Sequence, residues 1–265
     1  MAGSHRQETP LPDLLTSGLE AILFDLDGVI TDTAALHAAA WQRLFDDFFE
    51  TYAGEAQDRS PFRLPEDYVA YVDGKPRYQG VRSFLRSRGI ELPWGHPADP
   101  PDAATVCGLG NRKNRLFSAL LDERGVEVFE STIRLIRALR ARGVKTACVS
   151  SSRNCRPVLE RAGLVELFDA IYDGTDLARE GVPGKPDPSM FLRAAQLLAV
   201  APGQAAVVED AVSGVAAGRA GGFALVIGID RGSGREALLR AGADVVVEDL
   251  AELGASGAED SHAAG

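Results

Sequence analysis

The chain has 265 residues, a net charge of −10, 45% hydrophobic residues and 25% charged ones. That is enough to bury a substantial core in one large domain or two smaller ones. The acidity excludes the basic footprint of a nucleic-acid binder, and no stretch reaches the roughly 18 apolar residues of a membrane span.

The first residues lack the apolar segment of a secretion signal. Cys107, Cys148 and Cys155 are odd in number and lack zinc-site spacing. Buried or free thiols in a reducing compartment follow, with the cytoplasm as the default location.

Residues 1–18 are polar, carry Pro10 and Pro12, and read as a loose arm. AILF (21–24) is a short apolar run that stops at Asp25 and Asp27, with Gly28 after them. Residues 32–128 are then mostly helical in pattern. LHAAAWQRLFDDFF (36–49) is amphipathic, 61–89 holds helical pieces around Gly74-Lys75-Pro76-Arg77, and GLGNRKNRLFSALLDERG (108–125) follows a Pro-rich stretch. From 129 onward strands and helices alternate. TIRLIRALRARG (132–143) places Ile133, Ile136 and Leu139 on one stripe, with Ser131 able to cap its start and Gly143 suited to the left-handed position past its end. VKTACV (144–149), FDAIYDG (168–174), AAVV (205–208), ALVIGI (224–229) and DVVV (244–247) read as strands. A helix over 188–199 takes Asp187 as N-cap and Pro188 as its first residue. The end, 253–265, is rich in small residues and acids and reads as a frayed tail.

Short apolar strands alternating with helices predict an α/β fold with a Rossmann-like parallel-sheet core. The core is expected over 19–31 and 129–252, and an inserted, mostly α-helical cap over 32–128. In such sheets ligands bind at the carboxyl ends of the strands. The ends at Asp25/Asp27, Ser150–Ser152, Asp173 and Glu209/Asp210 are all polar.

Asp25 and Asp27 lie two apart where an apolar strand ends, and Gly28 permits a turn that separates their tasks. One carboxylate can attack phosphorus while the other serves the leaving or attacking oxygen. A bare Asp-x-Asp would also suit a solubilised strand end. Hydroxyls and amides at Ser150, Ser151, Ser152 and Asn154 suit a phosphate, and equally an ordinary helix cap. Pro186 keeps Lys185 out of helical geometry, so its ammonium can reach inward, although a surface-turn lysine has the same pattern. Glu209 and Asp210 after an apolar strand suit Mg2+.

In order and spacing, DLDGVITDT, SSSRN, GKPDP and VVEDAVSG resemble the four motifs of the haloacid-dehalogenase-like phosphotransferases. The resemblance implies that Asp25 forms an aspartyl-phosphate, that Asp27 is the general acid/base, and that Ser150 and Lys185 hold the transferring group. It implies Mg2+ held by the Asp25 carboxylate, the Asp27 backbone carbonyl and Asp210, with Glu209 in support. More narrowly, DLDGVITDTAALHAAAW resembles the β-phosphoglucomutases. There a threonine and a histidine, matched by Thr33 and His37, are linked to placing the general acid/base as the cap closes. Gly74–Arg77 resembles the loop whose arginine grips the distal phosphate. Arg112-Lys113-Asn114 resembles a segment whose lysine faces the sugar phosphate, and Ser152 and Asn154 match residues near the same site. Trp41 suits either the cap core or a ligand contact. Solvated charges or ordinary packing would account for Arg77, Lys113 and His37 just as simply when each is taken alone.

The expectation is interconversion of β-D-glucose 1-phosphate and glucose 6-phosphate through β-glucose 1,6-bisphosphate, by a monomer or weak dimer with no nucleic-acid or membrane partner. A sugar-phosphate phosphatase on the same fold is the alternative, and a catalytically silent binding module is a third reading. The sequence departs from the family in a longer cap around 54–66 and 93–106, in Ala211 where a serine is common, and in Gly80 where the cap loop usually has a serine.

Overall fold

The computed structural model describes residues 11–52 and 58–254. β1 (Ala21–Phe24) is completely buried. Its side chains alternate between two apolar clusters, Ala21 and Leu23 in one and Ile22 and Phe24 in the other, so both faces of the sheet are covered. β2 (Lys145–Val149), β3 (Ala170–Tyr172), β4 (Ala205–Glu209), β5 (Leu225–Ile229) and β6 (Val245–Val247) complete a six-stranded parallel sheet in the order β3-β2-β1-β4-β5-β6. From central β1 the chain steps outward through β2 and β3, then returns to β4 and steps outward the other way. That reversal opens a crevice at the carboxyl end of β1. Phe24 pairs with both Cys148 and Val208, which sets Asp25 level with Val149 and Glu209.

One face is covered by α4 (Glu130–Ala141), through Ile133, Ile136 and Leu139, and by α5 (Cys155–Ala162), through Val158 and Leu159. The other is covered by α7 (Ser189–Leu197), α8 (Val212–Ala220) and α9 (Arg235–Ala241), through Met190, Phe191, Val215 and Leu238. A short helix over 174–180 follows β3.

Between β1 and β2 stand α1 (Ala34–Thr51), a π-helical turn (Tyr68–Val72), α2 (Arg77–Ser87) and α3 (Val106–Arg124). They enclose a third cluster around Trp41, Phe45, Phe62, Phe84 and Leu109. Leu36 and Ala40 of α1 and Phe117 and Leu121 of α3 belong instead to the sheet's own cluster, so the helical layer is seated on the strand ends. No helix among the described residues is long and apolar enough to cross a membrane.

Four local expectations are corrected. Ser131 does not cap α4; its hydroxyl donates to Asp249 at 2.9 Å, and the helix begins two residues earlier than expected, at Glu130. α7 starts at Ser189, with Pro188 at the cap position, while the Asp187 carboxylate accepts the Ser189 amide at 2.9 Å. Asp173 caps the 174–180 helix and pairs with Arg156, so it serves the fold and stays out of the crevice. The arm expected over 1–18 is held down in its described part: Leu14 is buried and its amide donates to the Leu253 carbonyl at 3.0 Å. Leu253, where the tail was expected to begin, is also buried; residues 1–10 and 255–265 lie outside the described residues. In the extra segment at 54–66, Phe62 plugs the helical cluster, its amide bonded to Asp46 and its carbonyl to Gln42.

Candidate active site

The crevice between the sheet and the helical layer is a cavity of about 400 Å³. It is lined by Asp25, Asp27, His37, Trp41, Gly74, Arg77, Lys113, Ser150, Ser151, Ser152, Asn154, Lys185, Glu209 and Asp210. Thr33 lies just beneath the lining, fully buried. The expected site residues therefore come together from both parts of the chain.

The floor is built by strand register. The Asp25 amide donates to the Val208 carbonyl at 3.0 Å, continuing the β1–β4 ladder by one step. Lys185 reaches in from the loop before α7. Its Nζ lies 2.5 Å from Asp25 Oδ1, 2.5 Å from Glu209 Oε1 and 3.2 Å from the Val149 carbonyl. Burial alone would lower the Lys185 pKa, but Asp25 and Glu209 together raise it. The other Glu209 oxygen accepts the amides of Asp210 and Ala211, each at 2.9 Å. Both Glu209 oxygens are thus engaged by protein donors, and Gly214 leaves room for them, because a side chain there would overlap the carboxylate. Gly28 has φ +83° and passes directly under the Asp210 carboxylate, where a Cβ would collide.

Carboxylate oxygens of Asp25, Glu209 and Asp210 lie within 4.8 Å of one another. Burial pushes the Asp25 carboxyl well up against the opposing pull of Lys185, and burial with Glu209 pushes Asp210 well up. One ammonium cannot balance three clustered carboxylates, so this donor set fits a divalent ion.

Asp27 faces away from that cluster. Its carboxylate accepts the Thr33 hydroxyl and lies 3.6 Å from His37 Nε2. Burial raises its pKa, opposed by the Thr33 bond. His37 Nδ1 lies 2.6 Å from Lys113 Nζ. When Lys113 is an ammonium it donates there, and the imidazole proton then sits on Nε2, towards Asp27. Burial, Lys113 and Arg77 hold His37 well below the usual imidazole pKa, and burial with Arg77 lowers Lys113 to about 7. His37 stacks on Phe117 at 4.1 Å, and the Lys113 ammonium sits 5.0 Å from the Trp41 ring centre. Trp41 is thus both helical-layer core and cavity wall.

The loop from Ser150 to Asn154 curls on its own hydroxyls: Ser150 Oγ accepts the Ser152 amide and Ser152 Oγ accepts the Asn154 amide, each at 3.1 Å. The Ser151 hydroxyl turns away towards Met190 Sδ at 3.7 Å. Asn154 Nδ2 donates to Asn114 Oδ1 at 2.7 Å, joining this loop to α3. Gly74 lies against Ser213 Oγ in the first turn of α8, and Pro76 lies against Gly184, so the 73–77 loop is seated on the floor.

Several lining residues were not singled out from the sequence. Arg153 sits inside the SSSRN motif and Tyr78 directly follows Arg77, so a local signal existed for both. Tyr68 and Asp73 face the cavity only because the π-helical turn and its loop fold back, and nothing local announces it. Arg231 holds the loop after β1 from behind. Its Nε donates to the Gly28 carbonyl at 3.0 Å while its guanidinium lies 3.8 Å from the Phe129 ring centre.

Residues 19–222 match the haloacid dehalogenase-like hydrolase family. A protein of Mycobacterium bovis named beta-phosphoglucomutase is 53% identical over 244 residues, 90% of this chain and 93% of that one. A beta-phosphoglucomutase of Bacillus subtilis is 33% identical over 236 residues, 89% of this chain and 92% of that one. Among solved structures, a mutant of CbbY from Rhodobacter sphaeroides, in complex with xylulose-(1,5)bisphosphate, aligns with a TM-score of 0.70 at 25% identity, covering 89% of this chain and 96% of that one.

Proposed function

The chain belongs to the haloacid dehalogenase-like hydrolase family, and we propose that it is a β-phosphoglucomutase, with residues 32–128 acting as the cap over a core of 19–31 and 129–252. An Asp25 carboxylate oxygen attacks phosphorus, the bond from phosphorus to the sugar oxygen breaks, and Asp27 gives that oxygen its proton. In the return step Asp27 takes a proton from the accepting hydroxyl as the phosphoryl group leaves Asp25. Lys185 and Ser150 hold the transferring group, with Ser152 and the Ser150–Asn154 amides around it. Asp25, the Asp27 carbonyl and Asp210 would hold Mg2+, which would supply charge neutralisation for the phosphoryl oxygens. Glu209 fixes Lys185 and the Asp210 backbone. At the far end Arg77, Arg153 and Asn154 grip the second phosphate of β-glucose 1,6-bisphosphate, the intermediate that reorients between the two steps.

The observation that carries transfer over hydrolysis is the Lys113–His37–Asp27 line. It ties the acid/base on the floor to a helix of the upper layer, so Asp27 is in place only when that layer is down and water is excluded. Protein of this sequence should therefore convert β-glucose 1-phosphate, with Mg2+ and a trace of glucose 1,6-bisphosphate, to glucose 6-phosphate. A 31P NMR time course checks this; inorganic phosphate as the main product would mean a phosphatase instead.

A further inference from the structure

Tyr78 lines the cavity, and the phosphoryl chemistry gives it no task. Two guanidiniums approach its ring, with the Arg77 Cζ 5.5 Å from the ring centre and the Arg153 Cζ also 5.5 Å away. Arg77 opens α2 in the helical layer, whereas Arg153 belongs to the loop after β2. Burial lowers the Arg77 pKa, Tyr78 opposes that, and Arg153 pushes it down as a like charge does. Arg77 Nε is buried with no hydrogen-bond partner among the described residues. An aromatic face attracts cations. A ring that attracts both holds each cation at a set distance from it.

Tyr78 is itself braced. Its hydroxyl donates to Asn111 Oδ1 at 2.9 Å, and Asn111 Nδ2 donates to the carbonyls of Pro97 at 3.0 Å and Asp99 at 2.8 Å. The Asp99 carboxylate accepts the Thr105 hydroxyl at 2.7 Å, and Thr105 caps α3. Trp94 meets the Tyr78 ring edge-on at 6.2 Å. Beneath the ring is Gly110, where any side chain would overlap it. The extra segment at 93–106 therefore ends, through Asn111 and Trp94, on this one ring.

We propose that Tyr78 is a positioning residue that sets the Arg77–Arg153 spacing for the distal phosphate, and that the 93–106 segment serves to brace it. This rests on the mutase reading, because the distal phosphate concerned is that of the bisphosphate intermediate. The test is calorimetric titration of β-glucose 1,6-bisphosphate into the Mg2+-loaded protein carrying Asp25→Asn, which blocks turnover. Beside it, hydrolysis of p-nitrophenyl phosphate is followed in the unblocked enzyme. Tyr78→Leu should weaken bisphosphate binding about tenfold, with aryl phosphate hydrolysis within about twofold of the parent. Tyr78→Phe keeps the ring and should stay within about threefold in binding. Equal losses on both substrates, or a Phe variant as weak as Leu, overturn the role of the ring. Failure of the Leu variant to fold leaves the decision to Tyr78→Phe, which loses only the hydroxyl's bond to Asn111, and to Asn111→Ala, which also loses the bonds to Pro97 and Asp99 and should weaken bisphosphate binding more than the Phe variant does, with aryl phosphate hydrolysis unchanged. A parent protein that binds the bisphosphate no better than glucose 6-phosphate sinks the mutase reading together with Tyr78. A clear parental preference that Tyr78→Leu leaves intact sinks only Tyr78.

Discussion

The two walls of the cavity differ in charge and in how they are held. The floor carries the carboxylates of Asp25, Asp27, Glu209 and Asp210 around a single ammonium, Lys185. The upper wall carries Arg77 and Lys113 with a neutral His37, and Arg153 stands beside them at its edge. The floor is fixed by parallel register, since each acid follows a fully buried strand whose partners are set by backbone bonds. The upper wall is seated on the strand ends by buried apolar residues of α1 and α3, and its polar groups are placed by side-chain contacts such as Lys113 to His37 and Asn154 to Asn114. A floor built this way is preorganised for electrostatics, and an upper wall built this way can move.

The largest effect belongs to the floor. Asp25→Asn replaces the carboxylate proposed to attack phosphorus with an amide, and turnover should fall by about 10⁴-fold or more. Mass spectrometry of protein incubated with a phosphoryl donor should show no phosphoenzyme. Activity near that of the parent would take the nucleophile's role from Asp25.

The same contrast governs what could be read from the amino acids alone. Asp25, Asp27, Glu209 and Asp210 are legible because an apolar run followed by acids fixes both a strand and the end on which its acids fall. Lys185 is legible only in the company of those motifs, since its bonds to Asp25 and Glu209 span long stretches of chain. On the upper wall, Arg77, Lys113 and His37 came from resemblance. Their mutual distances depend on how α1, α2 and α3 pack, which periodicity does not give. Asp173 misled for the complementary reason: a polar residue after a strand can be spent on capping the next helix, as its side-chain bonds to Thr175 and Asp176 amides show. Ser131 misled because a distant carboxylate, Asp249, competed for its hydroxyl.

The next effect sharpens the contrast by cutting the line between the walls. His37→Ala removes the ring nitrogen that lies 3.6 Å from Asp27 while leaving the Thr33 bond and the floor untouched. Transfer to sugar should fall about 10²-fold, the low end for a disturbed general acid/base, and hydrolysis should fall less. Phosphate released per transfer then rises about tenfold. Measuring both products in one 31P NMR assay checks the ratio, and an unchanged ratio would place Asp27 under floor control alone.

The smallest effect concerns the one acid that the upper wall contributes. Asp73 follows the π-helical turn and faces the floor carboxylates, and burial with Glu209 raises its pKa to about 6. Its folded pKa lies above its unfolded value, so its ionised form opposes folding. That cost is complete above about pH 6, shrinks as the pH falls towards the usual aspartate value, and vanishes below it. Asp73→Asn removes the charge at nearly constant shape. Because the group is partly solvated, the gain in metal-free protein should be about 1 kcal/mol at pH 8, or about 2–4 °C in Tm, and smaller at pH 5.5. Added Mg2+ should narrow the difference, because a dication on the floor gives the Asp73 carboxylate an attractive neighbour in place of repelling ones. Thermal melts of both proteins, at both pH values, with chelator and with Mg2+, provide the check. A variant that loses stability at pH 8 with chelator would mean that Asp73 makes a favourable contact stronger than this repulsion, and that the walls are matched in charge even without the ion.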